Sequence, residues 1–150
     1  MESECLPEWL KQFDGSDISR TPYRAAVLAS VDDEGWPHLA YLSAGEILAQ
    51  AGGLSIALWL KSCTAKNIAR DGRAVLHAAC QNVVWEARLA LKPRPGQDEP
   101  GLAIFDGTIV ETRRNAAPYA NVLDMILFQL HDPAATLSRW EAQLQRLRHV

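Results

Sequence analysis

The stretch LSIALWLKSCTAKNIARDGRAV, residues Leu54 to Val75, begins as one kind of structure and ends as another. Leu54, Ile56, Leu58 and Leu60 alternate with Ser55, Ala57 and Trp59, the period-2 pattern of a strand with two unlike faces. The alternation breaks at Lys61-Ser62-Cys63-Thr64, and a short helix is predicted to follow. Thr64 is its expected N-cap, and Gly72 stands where a helix C-terminus wants a left-handed residue. Two lysines (Lys61, Lys66), two hydroxyls (Ser62, Thr64) and one amide (Asn67) thus gather where a strand hands over to a helix. Free backbone N–H groups and the positive end of the helix dipole suit such a place to a phosphate. The same residues read equally well as a solvated turn with ordinary surface lysines.

Working outward, the flanking segments read mainly as strands. Arg24 to Val31 and Pro37 to Leu42 form a predicted hairpin around Asp32-Asp33-Glu34-Gly35, whose Gly can take a positive φ. Ala51-Gly52-Gly53 is a second turn, leading into the strand at Leu54. Arg73 to Cys80 reads as a strand. Asn82 to Lys92 follows, with Val83, Trp85, Ala87, Leu89 and Leu91 on one face. Pro93 to Gly101 is a polar Pro/Gly loop. Leu102 to Arg113 is the last expected strand, with a bulge or kink at Asp106-Gly107. Before the strands, Leu6 to Phe13 is predicted as a short helix presenting Trp9, Leu10 and Phe13.

Two helices are expected to close the chain. Tyr119, Val122, Leu123, Ile126, Leu127 and Leu130 recur at helical spacing, and Asp132-Pro133 supplies the N-cap and first residue of the next helix. Its stripe is Leu137, Trp140, Leu144 and Leu147, read as core or subunit contact. Six strands, mostly joined as hairpins, with helices at the edges predict a mainly β single domain: a small antiparallel barrel over about residues 20–113, with C-terminal helices over about 116–148.

A chain of 150 residues fits one domain with an adequate core. A net charge of −3 argues against nucleic acid, which usually meets a basic face. No apolar run approaches the length of a membrane span, and the acidic Met1-Glu2-Ser3-Glu4 start lacks the pattern of a signal peptide. Cys5, Cys63 and Cys80 are odd in number and far apart, which fits neither a zinc pattern nor a disulfide framework and points to a reducing cytoplasm.

Two pieces of this chain carry a resemblance. Ala25 to Leu42 contains Asp33, Gly35, Pro37 and His38, and Leu54 to Leu76 contains Thr64, Lys66, Asn67 and Ile68. Together they resemble the pyridoxamine 5'-phosphate oxidase-like group of FMN-binding split β-barrels over about residues 20–113. The resemblance implies a homodimer with flavin in a cleft between the subunits. It implies that Lys61, Ser62, Thr64, Lys66 and Asn67 hold the FMN phosphate, and that Ala29, Ser30 and Trp59 line the ring system. It further implies an oxidoreductase acting on a small molecule. The basic and histidine residues with which true pyridoxamine phosphate oxidases hold the substrate phosphate find no match here. The glycine common in the fifth strand of the family is replaced around Arg88-Leu89-Ala90. These departures weigh against vitamin B6 oxidation and leave the expectation of flavin binding in place. Relatives that bind haem, a deazaflavin or nothing leave a haem protein and a cofactor-free interaction module as alternatives.

A dianionic phosphate wants charge-assisted donors, which Lys61 and Lys66 supply. The redox chemistry would belong to the flavin, while the protein positions it and controls access. His38, His77, His131 and His149 are scattered and form no nucleophile–base set. His38 reads as a surface or interface histidine and His77 as one satisfied within the barrel. Cys63 beside the basic turn reads as an incidental thiol, although a cationic neighbourhood lowers a thiol pKa.

Overall fold

The computed structural model describes residues 6–96 and 100–148. Met1 to Cys5, His149 and part of the Pro93–Gly101 loop lie outside them. Eight strands form one antiparallel sheet: β1 (Tyr23–Val31), β2 (Pro37–Leu42), β3 (Ile47–Gln50), β4 (Gly53–Trp59), β5 (Arg73–Cys80), β6 (Val83–Pro93), β7 (Leu102–Asn115) and β8 (Ile126–Phe128). Their order is β2-β1-β5-β6-β7-β4-β3, with β8 pairing the start of β1. Helix α1 (Cys63–Asp71) joins β4 to β5, and helix α2 (Pro133–Arg148) follows β8.

Period-2 patterning places the core. Ala26 and Leu28 of β1, Ile56 and Leu58 of β4, Leu76 and Ala78 of β5, Ala87 and Leu89 of β6 and Phe105 of β7 all bury their side chains in one cluster. Leu42 of β2 and Ile47 of β3 join the same cluster, and seven strands contributing to a single core is the arrangement of a barrel. Ile68 of α1 and the apolar face Trp9, Leu10 and Phe13 fill it further. Those last three sit on the expected short helix, a 3₁₀ helix over Glu8–Phe13. The alternate residues of β3, β4 and β7 (Leu48, Ala57, Ile104) point out of the barrel and pack against Leu144 and Leu147 of α2. The predicted stripe of that helix thus covers the outside of the barrel. Its N-terminus is capped as expected, with Ala135 N–H donating to Asp132 Oδ1 at 3.2 Å.

Turns follow their local chemistry. Asp32 Oδ1 accepts from Glu34 N and Trp36 N, and Gly35 takes φ +87°, which closes the β1–β2 hairpin. Gln81 and Asn82, both with positive φ, make the two-residue turn between β5 and β6.

Four expectations are corrected. Among the described residues the strands number eight, because β3 and β8 join the six that were expected. Residues 116–132 hold no helix, since three other partnerships win over their helical spacing. Val122 N–H donates to the Asn82 carbonyl, Asp124 pairs with Arg24 at 2.7 Å, and Ile126–Phe128 ladders onto Tyr23–Ala25. Phe128 then packs against Tyr23 and the edge of Trp140.

The bulge of β7 falls at Val110, not at Asp106-Gly107: Arg88 pairs with Glu111 while its neighbour Leu89 pairs with Ile109. Gly107 is instead a close approach. A Cβ there would lie 2.5 Å from Leu91 Cδ2 and 3.2 Å from the Ala90 carbonyl. Gly107→Ala is expected to cost about 1–3 kcal/mol by overpacking. Urea denaturation would show a lower midpoint with unchanged slope; an unchanged midpoint would contradict it.

The last correction concerns the helix cap. Ser62, and not Thr64, is the N-cap of α1: its backbone is extended, and its Oγ accepts from Ala65 N at 3.1 Å. Gly72 closes the helix in the left-handed conformation, as expected, with φ +65°.

Candidate functional site

The strand-to-helix handover is where the residues converge. Strand β4 ends at Trp59, the turn Leu60-Lys61-Ser62 follows, and α1 starts at Cys63. Ser62 satisfies Ala65 N through its hydroxyl and Lys66 N through its carbonyl. The N–H groups of Cys63 and Thr64, in the first turn, are those that a helix leaves without an internal partner. Lys61 and Lys66 are exposed, and neither forms an ion pair among the described residues.

Beside this turn opens a cleft of about 220 Å³. Tyr41 from β2, Trp59 from β4, Ser62 and Thr64 from the helix start, and Arg139, Trp140 and Gln143 from α2 line it, together with Glu46. An aromatic wall, hydroxyls and a helix N-terminus therefore share one cavity. Trp140 is packed in place by Gly45, where a Cβ would fall 2.2 Å from its ring. The same ring also walls a second cavity of about 150 Å³, on the side of Asp14–Ile18 and Tyr23.

The expected site residues divide into three groups. Trp59, Ser62 and Thr64 line the cleft. Lys61 and Lys66 stand on the adjoining turn and first turn of the helix. Ala29, Ser30 and Asn67 are elsewhere. Asn67 is 2 % exposed and donates through Nδ2 to Ser30 Oγ at 3.0 Å, so this buried pair ties α1 to β1. His77 is exposed on β5 and so is not a barrel-interior histidine; neither it nor His38 lines the cleft. Cys63 is exposed, with its thiol 3.8 Å from Asn67 Oδ1. No group of three His, Cys, Asp or Glu side chains gathers as a metal set among the described residues.

Sequence reasoning missed Glu46 and Arg139. Glu46 carried a signal: it is the single charged residue between Leu39 and Leu60. Its carboxyl is half-buried, and burial pushes its pKa up, against the lowering effects of Ser43 and the Arg139 charge. Arg139 carried none, because it lies on a helix whose docking face places it at the cleft only after folding.

The fold is that of the split barrels of pyridoxamine 5'-phosphate oxidase-like proteins. An F420 reductase superposes with a TM-score of 0.54 at 11% identity, covering 73% of this chain and 98% of its own. A Lactobacillus delbrueckii protein assigned as a pyridoxamine 5'-phosphate oxidase gives 0.55 at 16%, covering 74% and 94%. HutZ, the heme storage protein of Vibrio cholerae, gives 0.51 at 9%, covering 65% and 89%. The chain belongs to the family of the uncharacterized protein YclD of Bacillus subtilis, to which it is 35% identical over 148 residues, 96% of each chain. No family model matches the sequence. No helix among the described residues is long and apolar enough to cross a membrane.

Proposed function

We propose that this protein is an FMN-binding flavoprotein, an oxidoreductase acting on a small molecule in the reducing cytoplasm, and that it works as a homodimer with flavin at the subunit interface. The observation that carries this reading is the cleft that joins Trp59 to Ser62 and Thr64 at the start of α1, next to two lysines that form no ion pair among the described residues. The residues present fit the group. A phosphate dianion meets N–H groups, hydroxyls and ammonium groups, and a planar ring meets the aromatic wall of Trp59 and Tyr41. Bound flavin would supply the electron transfer. The protein's part is to hold the phosphate, press the ring against the wall and limit water. In the folded chain Ser30 and Asn67 act as a brace that sets the tilt of α1.

The dimer is supported by apolar surface. Trp36, Leu39, Tyr41, Trp59 and Leu60 are all more than half exposed, and Tyr41 and Trp59 belong to both this surface and the cleft. A second copy laid over it would close the cleft.

Lys66→Ala is expected to remove one charge-assisted contact, about a ten- to hundred-fold loss of FMN affinity. Riboflavin, lacking the phosphate, should bind both forms alike, and the fold should be unchanged. Fluorescence titration decides it: equal FMN affinity for the two proteins eliminates the phosphate assignment. The haem reading keeps support from HutZ, a heme storage protein on the same fold. An absorption spectrum separates the two readings, since flavin peaks and a Soret band do not coincide.

A further inference from the structure

Between β7 and β8, residues 116–125 form an arm that shows apolar side chains to solvent. Leu123 is 93 % exposed and Tyr119 89 %, more than any other large apolar residue among those described. The arm is nonetheless held in place. Ala120 N–H closes a turn onto the Ala117 carbonyl at 3.5 Å, with Tyr119 inside that turn. Val122 N–H donates to the Asn82 carbonyl at 2.8 Å, and Asp124 pairs with Arg24 at 2.7 Å. A pinned backbone that holds a leucine and a tyrosine in water is preorganised for a contact, at a low ordering cost.

Strand β1 relates the arm to the cleft. The arm leads into β8, which pairs with Tyr23–Ala25 at the start of β1, while β2 begins opposite Val31 at its other end. Eight residue steps set these ends about 27 Å apart. Helix α1 lies at the Val31 end, where Asn67 donates to Ser30 and Arg70 to the Val31 carbonyl. A two-fold axis across the middle of the β1–β2 hairpin would carry each copy's arm to the α1 end of the other, and make that contact twice. The surface is large enough for it. At about 200 Å² for a whole aromatic side chain, the exposed parts of Trp36, Tyr41, Trp59 and Tyr119 come to about 550 Å². Exposed leucines and Ile126 add to this, on the scale of the roughly 800 Å² that one partner gives to a standard interface. The cleft also needs a further wall. It holds about 220 Å³ in one chain, short of the roughly 300–1,000 Å³ of cofactor and small-molecule sites.

We propose that a second copy of this chain closes the cleft with its 116–125 arm, packing Leu123 and Tyr119 of the partner subunit against Trp36, Leu39 and Trp59. This rests on the dimeric flavin reading and names the segment that completes its site.

Leu123→Lys is the first variant, at a position so exposed that the monomer should fold unchanged. Light scattering should show the dissociation constant of the dimer raised about a hundredfold or more, and FMN affinity should fall with it. Mixing then shows whether the contact runs between copies. Leu39→Asp alters the surface under the arm, and Leu123→Lys alters the arm. Each alone spoils both contacts of its own dimer. In a mixed dimer one contact is wild type and the other sets an aspartate against a lysine. An equal mixture should therefore regain the dimer mass and FMN binding that neither variant has alone. A Leu123→Lys protein that dimerises and binds FMN like wild type overturns the arm contact, and so does a mixture that recovers nothing. Both results leave the flavin reading standing. Wild-type protein that binds no FMN removes the flavin reading, and the mass of the mixture alone then decides the arm.

Discussion

Arg94→Ala is expected to destabilise the fold by about 3 kcal/mol, the largest single-chain effect foreseen. Arg94 stands just after β6, and its side chain is almost wholly buried. Nε donates to Asp106 Oδ2 at 2.9 Å and Nη2 to Asp106 Oδ1 at 2.7 Å, a two-pronged pair. Nη2 also reaches Ser55 Oγ at 3.1 Å. The same guanidinium donates to the carbonyls of Arg146 at 2.9 Å and Leu147 at 3.0 Å, the last turn of α2. Carbonyls at a helix C-terminus have no internal partner and carry the negative end of the dipole, so one cation ties strand, strand and helix together. Removing it leaves those carbonyls and Ser55 short of a donor. Asp106 keeps some contact with water, which holds the cost at the lower end for a broken buried pair. For a chain of this size the melting temperature should fall by about 6–12 °C. Arg94→Lys should recover only part, since one ammonium cannot reproduce the fork. A melting temperature within about 2 °C of wild type would show that α2 is held by its apolar stripe alone.

The same clasp sets a pH dependence. The Arg94 guanidinium, with help from Ser55, holds the Asp106 carboxyl below its usual range. A carboxylate whose pKa is lower folded than unfolded binds fewer protons when folded. Its stabilisation is complete above the unfolded value, about 3.9, and disappears as pH falls through the folded value. Asp124, lowered by Arg24, acts in the same direction. Stability should therefore decline on acidification below about pH 4, and Asp106→Asn should flatten part of that decline.

How much of this was legible in the sequence depends on what each residue had to beat. The β4–α1–β5 passage was readable because its apolar period changes at Lys61, and both signals are local. Sequence placed the N-cap two residues late, since Ser62 and Thr64 are equally good capping types and only the backbone path selects between them. Strand β3 was hidden because Ile47-Leu48-Ala49 is buried on both faces, under the barrel core on one side and α2 on the other, which erases alternation. Residues 119–130 had helical spacing but spend it on tertiary partners: Arg24, Asn82 and β1 lie about forty to a hundred positions away. Within the candidate site, Ser62, Thr64 and Trp59 share the cleft because they adjoin in sequence. Ser30 and Asn67, joined by the resemblance to a ligand, proved to be each other's partner. Arg139 reaches the cleft only through helix docking, which no local pattern encodes.

Leu39→Asp is expected to abolish the proposed dimer while leaving the barrel folded. Strand β2 is the terminal strand of the sheet path, and its outward face carries Leu39, 53 % exposed, and Tyr41, 56 % exposed. Trp36 at 69 % and Trp59 at 67 % are further large apolar side chains on the surface. Isolated apolar side chains on a surface need no explanation, but four large exposed ones, two of them lining the cleft, suit the surface of the proposed dimer. If two copies meet there about a two-fold axis, each substitution occurs twice. A charge buried at the centre of an interface costs about 2–3 kcal/mol per copy, or about 4–6 kcal/mol in all, a thousand-fold or greater rise in the dissociation constant. The monomer loses little, because exposed positions tolerate substitution to within about 0.5 kcal/mol. FMN affinity should fall with the dimer, since Tyr41 and Trp59 line the cleft and would also lie in the proposed interface. Lys66→Ala supplies the contrast, because it should weaken FMN while the dimer persists. Light scattering at micromolar concentration reads both. A wild-type monomer mass would remove the dimer. A Leu39→Asp protein that still runs as a dimer would move the interface away from β2, and the cleft would then have to hold its ligand within one chain.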